Sequence, residues 1–265
     1  MTCRVCATSP FTASSPRLER GNPDTRLNGC FLSITSCWSL AAVLRTNQSL
    51  TELDLGYNQY IGGSGEQLLC EGLKHPNCKS QRLGLWNCGL KGASCGYLTA
   101  VLRISQSLTE LELRDNVSLR YSGVQLLCEG LKHPNCKLQR LRTSQTLTEL
   151  DLKNNTIRDS GMQLLCEGLK HPNCKLQKLG LCACSFTAAF CGDLSCVLSI
   201  RQALTELNIG GNKLGESGVQ LLCEGLKHPN CKLQKLILSK WHVTKETQAE
   251  LDAVKKIKPD LGIER

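Results

Sequence analysis

Leucine positions recur along this chain with a fixed period. The segment LTEL opens the pattern L-x-x-L-x-L-x-x-N, for example at Leu50, Leu53, Leu55 and Asn58. A second segment, similar to KLQKL, alternates with it and in two copies has Cys at the place of the Asn. Alternating apolar positions predict a short strand with one buried face, and a repeat of roughly 20 to 50 residues predicts a solenoid. The two kinds of segment start at Leu50, Ser80, Leu108, Leu138, Leu147, Leu176, Leu204 and Leu233.

The residues between these segments predict a helix in each repeat of the first type. Ser-Gly-x-Gln fits a capping box at a helix N-terminus, QLLCEGL supplies an apolar helical face, and the proline of His-Pro-Asn disfavours further helix. One coil cannot bury its own apolar face, so we expect the coils to stack. The sequence thus predicts an α/β solenoid of horseshoe shape, with parallel strands on the concave face and helices on the convex face. The capping pairs would be Ser64/Gln67, Ser122/Gln125, Ser160/Gln163 and Ser217/Gln220.

One spacing breaks the period. Most segments start 28 to 30 residues after the previous one, but Leu147 follows Leu138 after only nine residues. A coil cannot close in nine residues, so we expect the solenoid to be locally irregular near residues 137–146. The irregular part would be a loose connection or a strand without its helix, with a packing fault on the convex side.

The pattern fades at both ends of the chain, which predicts three parts. Residues 1–26 form a disordered or poorly capped segment, residues 27–241 form the repeats, and residues 242–265 form a C-terminal cap. Trp241, just before the cap, stands where the other repeats have Asn or Cys, and within the cap a final helix stopped by Pro259 precedes a short strand.

Composition restricts the core and the cellular compartment. Hydrophobic residues make up 41% of the chain and aromatic residues 4%, so the core must consist mainly of Leu, Val, Ile and Cys. No stretch fits a secretory signal or approaches the roughly 20 apolar residues of a membrane span. We therefore expect a cytoplasmic protein without membrane contact, in which most of the 18 cysteines are reduced.

The motifs LTELDLxxN, LQKLxLxxC and QLLCEGLKHPNCKLQKL together resemble leucine-rich repeats of the ribonuclease-inhibitor type. They are similar to the C-terminal repeat domain of NACHT, LRR and PYD domain (NLRP) receptors over roughly residues 27–265. The resemblance implies a non-catalytic scaffold for ligand sensing, autoinhibition or partner docking in innate immune and inflammasome signalling. The pyrin and NACHT modules of such receptors have no counterpart in this sequence. Because it also lacks a GxxxxGK[S/T] loop, we expect no nucleotide and no cofactor.

Outward-facing strand residues are the candidate contacts with a protein partner. They are acidic in the first repeat type and basic in the second, so neighbouring strands about 4.8 Å apart predict cross-strand ion pairs. Tyr57, Trp86 and Arg114 fall near strand ends, and such side chains are frequent interface anchors. The full set is Glu52, Asp54, Tyr57, Arg82, Trp86, Glu110, Glu112, Arg114, Glu149, Lys153, Lys178, Glu206 and Lys235.

Two other patterns have simpler structural interpretations. Lysines flank each KHPNCK segment and would align along one edge, where they could attract nucleic acid. However, a glutamate three residues before the first lysine of each pair favours pairing within the helix. Cys70, His75 and Cys78 recur as possible zinc ligands, but their spacing follows the coil and favours packing in the core. We therefore predict no metal site and no catalytic residue, and nucleic acid is the disfavoured partner.

Two alternative functions remain open. The repeat type also suggests an enzyme inhibitor like ribonuclease inhibitor, although a net charge of +9 would repel a cationic ribonuclease. The unmatched N-terminal segment and the short spacing suggest, alternatively, a truncated product without retained function.

Overall fold

The computed structural model describes residues 24–132, 148–172, 174–200, 203–239 and 244–264. Within these ranges nine parallel strands form one open sheet in chain order, and helices lie on the connections. The predicted α/β solenoid is confirmed. The strands are β1 (Asp24–Arg26), β2 (Glu52–Asp54), β3 (Arg82–Gly84), β4 (Glu110–Glu112), β5 (Glu149–Asp151), β6 (Lys178–Gly180), β7 (Glu206–Asn208), β8 (Lys235–Ile237) and β9 (Gly262–Glu264). The α-helices are α1 (Ile34–Thr46), α2 (Gly62–Leu73), α3 (Ser94–Ile104), α4 (Arg120–Lys132), α5 (Arg158–Lys170), α6 (Cys191–Ile200), α7 (Gly215–Lys227) and α8 (Lys245–Ile257).

The core is a continuous stack of leucines between the sheet and the helices. The central residue of each strand from β2 to β8 is a buried leucine, and the leucines of neighbouring strands in this range pair with one another. Since each coil contributes the same apolar positions, the core runs uninterrupted along the sheet. These leucines are Leu53, Leu83, Leu111, Leu150, Leu179, Leu207 and Leu236.

The buried Asn and Cys residues that follow the strands, which we call the ladder residues, join each coil to the one before it. The Asn58 Nδ2 donates to Leu27 O at 2.9 Å, and its Oδ1 accepts from Leu32 N at 3.1 Å. At the next coil the Cys88 Sγ donates to Leu55 O at 3.2 Å. Backbone groups that would otherwise be buried without partners are thereby satisfied.

The predicted capping boxes are wrong. Helix α2 begins at Gly62, so Ser64 lies inside its first turn, and the apolar side chain of Ile61 precedes it without a side-chain cap. The reason is that the chain enters this helix through a left-handed residue, Gly62, with φ of 64°. In helix α4 the equivalent serine, Ser122, packs against the preceding coil. A Cβ atom on Gly92 would come within 2.1 Å of the Ser122 Oγ. Helices α5 and α7 start in the same way, after Ile157 and Leu214.

The first strand of the sheet precedes the leucine pattern. Strand β1 pairs with β2 from Asp24↔Glu52 to Arg26↔Asp54 and so lies just before residue 27, the first residue of the predicted repeats. The leucine pattern missed this strand because Thr25 occupies the leucine position. The predicted final helix and strand are α8 and β9. Residues 1–23, residues 137–146 and Trp241 lie outside the described residues.

The short spacing does not interrupt the sheet. Strand β4 is the hydrogen-bonded neighbour of β5, with Leu111 opposite Leu150 and with Leu113 N donating to Asp151 O at 2.8 Å. On the other side α4 packs directly against α5. A Cβ atom on Gly168 would lie 3.2 Å from the Cys128 Cβ. Between these two helices the predicted packing fault is therefore not found. We call the contact of β4 with β5 the junction.

No helix in the described ranges combines the length and the apolar character that crossing a bilayer requires.

Candidate protein-binding surface

The first residues of the strands form a row of charged side chains on the exposed face of the sheet. The Arg82 guanidinium lies between two carboxylates, 4.0 Å from Glu52 and 3.2 Å from Glu110. The Lys235 Nζ lies 3.8 Å from Glu206, and Lys178 pairs with Glu149. The predicted cross-strand ion pairs are confirmed at these positions. We call this row the charge row; it comprises Glu52, Arg82, Glu110, Glu149, Lys178, Glu206 and Lys235.

The predicted alternation of acidic and basic strands fails at the junction. Glu110 there pairs in register with Glu149, a second acidic residue. The cause is that β5 belongs to the same repeat type as β4. The segment between them in the sequence is the second-type segment that starts at Leu138. Its basic residue, Arg140, corresponds to Arg82 and lies outside the described residues.

The next outward position brings two further carboxylates together at the junction. Glu112 pairs in register with Asp151. Burial raises the pKa of Glu112, Arg114 opposes this and Asp151 adds to it. Burial also raises the pKa of Asp151, while its hydrogen bond from the Lys153 N–H lowers it. Both carboxyl groups therefore hold their protons more tightly than exposed ones.

Glycines on neighbouring strands make room for the aspartates at this position. A Cβ atom on Gly84 would lie 2.8 Å from the Asp54 Oδ1, and one on Gly180 would lie 2.4 Å from the Asp151 Oδ1. Each aspartate accepts a hydrogen bond from the backbone two residues later, at 3.0 Å. The predicted contact Asp54 is thus already engaged within the protein.

The three predicted anchors lie together and form one cluster. The Trp86 indole lies flat on Gly56, since a Cβ atom there would come within 2.0 Å of the Nε1. The Nε1 donates to the Asp54 Oδ1 at 3.1 Å. The Arg114 guanidinium carbon lies 4.9 Å from the centre of the indole ring, and the Tyr57 ring lies 6.0 Å away. We call Tyr57, Trp86 and Arg114 the anchor cluster.

The anchor cluster is both held in place and accessible. Tyr57 is 58% exposed, and Trp86 and Arg114 are half-buried. Arg114 is fixed further by an ion pair with Glu112. A cation above an indole face is an attractive contact, so the tryptophan and the arginine order each other before any partner arrives.

Beside the anchor cluster, a shallow depression of about 270 Å³ spans the sheet from β3 to β7. It is lined by members of the charge row together with Glu112 and Lys153. Sequence reasoning missed two polar lining residues, Asp151 and Asn208. Asp151 was detectable, because its L-D-L context is the same as that of Asp54. The predicted contact Lys235 lies beyond the depression, on β8.

The lysines at the helix ends are tied to neighbouring acids. Lys74 pairs with Glu71 in its own helix, as predicted. The same prediction is wrong for three others, which reach an acid on the following helix because stacking brings that helix close. These pairs are Lys132–Glu167 at 3.4 Å, Lys170–Asp193 at 3.9 Å and Lys227–Glu250 at 2.6 Å.

The recurring cysteines lie in the core. Cys70 and Cys78 are buried, and burial raises the pKa of Cys70 to about 12, so its thiol stays protonated at neutral pH. Among the described residues, no three His, Cys, Asp or Glu side chains are placed to bind one metal ion. On the sheet face Cys182 is half-buried, while Cys184 points into the core.

Comparisons with known proteins agree with this architecture. The family model described as Leucine Rich repeat matches residues 46–70, 105–128, 143–166 and 202–223. The human NACHT, LRR and PYD domains-containing protein 12 is 44% identical over 75% of this chain, and the human protein 3 of the same name is 43% identical over 89%. The mouse ribonuclease inhibitor is 38% identical over 98% of this chain.

The chain spans only part of these relatives: 20% and 24% of the length of the two human proteins and 60% of the inhibitor. The matched part contains the repeats. The chain therefore contains leucine-rich repeats, and these repeats are homologous to the repeat regions of the NLRP proteins and to ribonuclease inhibitor.

Proposed function

We propose that this chain is a non-catalytic scaffold that docks another protein on the exposed face of its sheet, with the anchor cluster as the central contact. The observation that carries the proposal is the position of Trp86. Its ring lies on a glycine, is hydrogen-bonded to Asp54, and still has one part open to solvent. A preorganised aromatic side chain next to an arginine loses little conformational freedom on binding, and such residues supply much of the binding energy in protein interfaces.

The homology supports a role like that of an NLRP repeat domain in innate immune signalling. In that role the chain acts by docking or competition in the cytoplasm, through ligand sensing, autoinhibition or partner binding. No nucleotide, membrane or nucleic acid takes part.

The test compares two tryptophans with different positions. Trp86→Ala removes the centre of the anchor cluster, and Trp38→Ala removes a 68%-exposed tryptophan on helix α1. Tagged wild-type chain and both variants are used for quantitative affinity capture from cytosolic extract. We expect a partner that wild type and Trp38→Ala recover equally and that Trp86→Ala recovers at least about tenfold less. Equal recovery of every captured protein by the wild type and both variants would exclude the anchor cluster as the central contact with a partner.

An inhibitor of a cationic enzyme is the second candidate. Four carboxylates meet at the junction, from Glu110, Glu112, Glu149 and Asp151, and these would attract a basic surface. The net charge of +9 acts in the opposite direction. Titration of a cationic ribonuclease with the chain shows whether the local attraction or the overall repulsion is stronger. Stoichiometric inhibition would favour this candidate over the scaffold. Unchanged ribonuclease activity at excess chain would exclude it.

A further inference from the structure

One helix differs from its three counterparts at a position in the core. Helices α2, α4, α5 and α7 share the motif SG-x-QLLCEGL, where x is Glu66, Val124, Met162 or Val219. The three apolar residues are completely buried, and Glu66 is only 8% exposed. A carboxyl group therefore occupies a place that the repeat reserves for a hydrophobic side chain.

The surroundings of Glu66 offer little to a charged carboxylate. Its Oε2 is buried without a hydrogen-bond partner. It borders a closed space of about 10 Å³ among apolar side chains, which is at the lower limit for holding one water molecule. A carboxylate charge with one oxygen unpartnered in such a place is costly, and this favours the protonated group. The apolar lining consists of Leu53, Leu69, Leu73, Leu83, Leu85, Leu90 and Leu98.

The titratable groups that face Glu66 do not neutralise it. Burial raises its pKa, and the Ser94 hydroxyl and the Lys91 ammonium lower it in part. The remaining neighbours are thiols with pKa values of about 11 for Cys37 and about 12 for Cys70 and Cys88, and with a raised pKa for Cys95. These thiols stay neutral below pH 9, so the titration of Glu66 is the event that changes charge in this part of the core.

We propose that Glu66 makes the coils from β2 to α3 a proton-responsive element of the solenoid. With a neutral carboxyl, α2 packs against its neighbours as the other three helices do. With an ionised carboxylate, the buried charge is relieved by local opening of α2 towards water. Leu85 lines the same space and directly precedes Trp86, so opening also loosens the anchor cluster. That last consequence depends on the proposed function, whereas the opening itself does not.

The direction of the effect follows from the raised pKa. In the opened state the carboxyl has its ordinary pKa, so the packed state binds the proton more tightly. Local stability is highest below the ordinary pKa, falls as pH rises towards the raised value, and is constant above it. The opening constant then increases by up to about tenfold for each pH unit inside that window.

Hydrogen exchange measured by mass spectrometry between pH 4 and 8 tests the proposal on the full chain. Rates are converted to protection factors, which remove the intrinsic dependence of exchange on pH. In the wild type we expect protection of α2 to fall with rising pH while that of α7, with Val219 at the same position, stays constant. Glu66→Gln keeps the shape without the charge, and Glu66→Val restores the residue of the other repeats. Both should hold the high protection of the acidic range throughout.

A mirror variant makes the result specific to the carboxyl group. Val219→Glu should transfer the loss of protection at high pH to α7. The proposal is overturned if wild type and Glu66→Gln show the same pH dependence in α2, or if α2 is protected equally at pH 4 and pH 8. None of these measurements uses a partner, so their failure is distinguishable from a failure of the docking function.

Discussion

The junction and the contact of β7 with β8 show which features of a coil depend on its repeat type. In the core the two contacts are alike, because Leu111 lies opposite Leu150 as Leu207 lies opposite Leu236. On the exposed face they differ: β7 and β8 place Glu206 beside a lysine, whereas the junction places two acids side by side. The coils from β2 to β8 offer the same leucine to the core, so omitting one coil preserves this packing and changes the surface.

The ladder of buried asparagines shows a second difference. The Asn212 Oδ1 accepts a hydrogen bond from Cys184 N at 2.8 Å. The equivalent oxygen of Asn155 has no partner although the residue is only 1% exposed. In the coil before Asn155 the place of the cysteine is taken by Asn116, whose own oxygen accepts from Cys88 N. At the junction, where two coils of one type stack, the Asn155 Oδ1 is therefore a buried acceptor without a hydrogen bond.

The largest expected effect tests the claim that the core is the same in both places. Leu150→Ala at the junction and Leu207→Ala at a regular contact each remove a fully buried side chain. We expect each to lower the free energy of unfolding by about 3 kcal/mol, as measured by urea denaturation. A much smaller loss for Leu150→Ala would mean that the junction is poorly packed. It would contradict the claim that the core is the same at the two contacts.

Asparagine replacement sharpens the difference in the ladder. Asn212 and Asn155 donate to equivalent carbonyls, Leu181 O and Ile209 O at 2.8 and 2.9 Å, and Leu113 O and Leu152 O at 3.1 and 2.7 Å. The accepted hydrogen bond is the remaining difference. We expect Asn212→Ala to lower the free energy of unfolding by about 2 kcal/mol. For Asn155→Ala we expect the loss to be smaller than this by about 1 kcal/mol. Equal losses in urea denaturation would show that the unpaired oxygen has no energetic consequence.

The fold could be predicted from sequence because leucine spacing reports burial, and the placement of Tyr57, Trp86 and Arg114 near strand ends followed from the same spacing. Their contact with one another was not predicted, although Trp86 and Arg114 hold the same position in successive coils. The junction could not be predicted. The nine-residue spacing after Leu138 indicates that a coil is missing but not which strands become neighbours, and that choice depends on the tertiary pairing of Leu111 with Leu150. The starts of the helices were predicted wrongly. A glycine such as Gly62 looks the same in the sequence whether it begins a helix in the left-handed conformation or belongs to an ordinary turn.

The pH dependence of stability distinguishes the acidic junction from the regular contacts. The pKa of Asp151 is raised in the folded chain, so its contribution is present at acidic pH and is lost as pH rises from the ordinary to the raised value. Asn208 occupies the same position on β7 and accepts from Gly210 N at 3.1 Å, so an amide fits there. We expect Asp151→Asn to stabilise the chain at pH 7 by less than about 1 kcal/mol, since the site is partly screened by solvent.

Thermal melts at several pH values measure this effect. The gain in stability from Asp151→Asn should vanish towards pH 4. Glu206→Gln is the control, because Glu206 faces Lys235 rather than a second acid. That variant should be neutral or slightly destabilising at pH 7. A gain for both variants would mean that excess negative charge is unfavourable everywhere on the sheet face and is not a property of the junction.

The smallest expected effect concerns the ion pairs of the charge row. Arg82→Ala removes a cation that lies between two carboxylates, and we expect a loss of about 0.5 kcal/mol at low ionic strength. Glu149→Gln removes the attraction to Lys178 together with the repulsion from Glu110, so the two changes should nearly cancel. In about 1 M salt the Debye length falls to roughly 3 Å, and the loss for Arg82→Ala should disappear. If Glu149→Gln instead destabilises the chain as much as Arg82→Ala, the repulsion between the two acids is negligible and the junction is electrostatically equivalent to a regular contact.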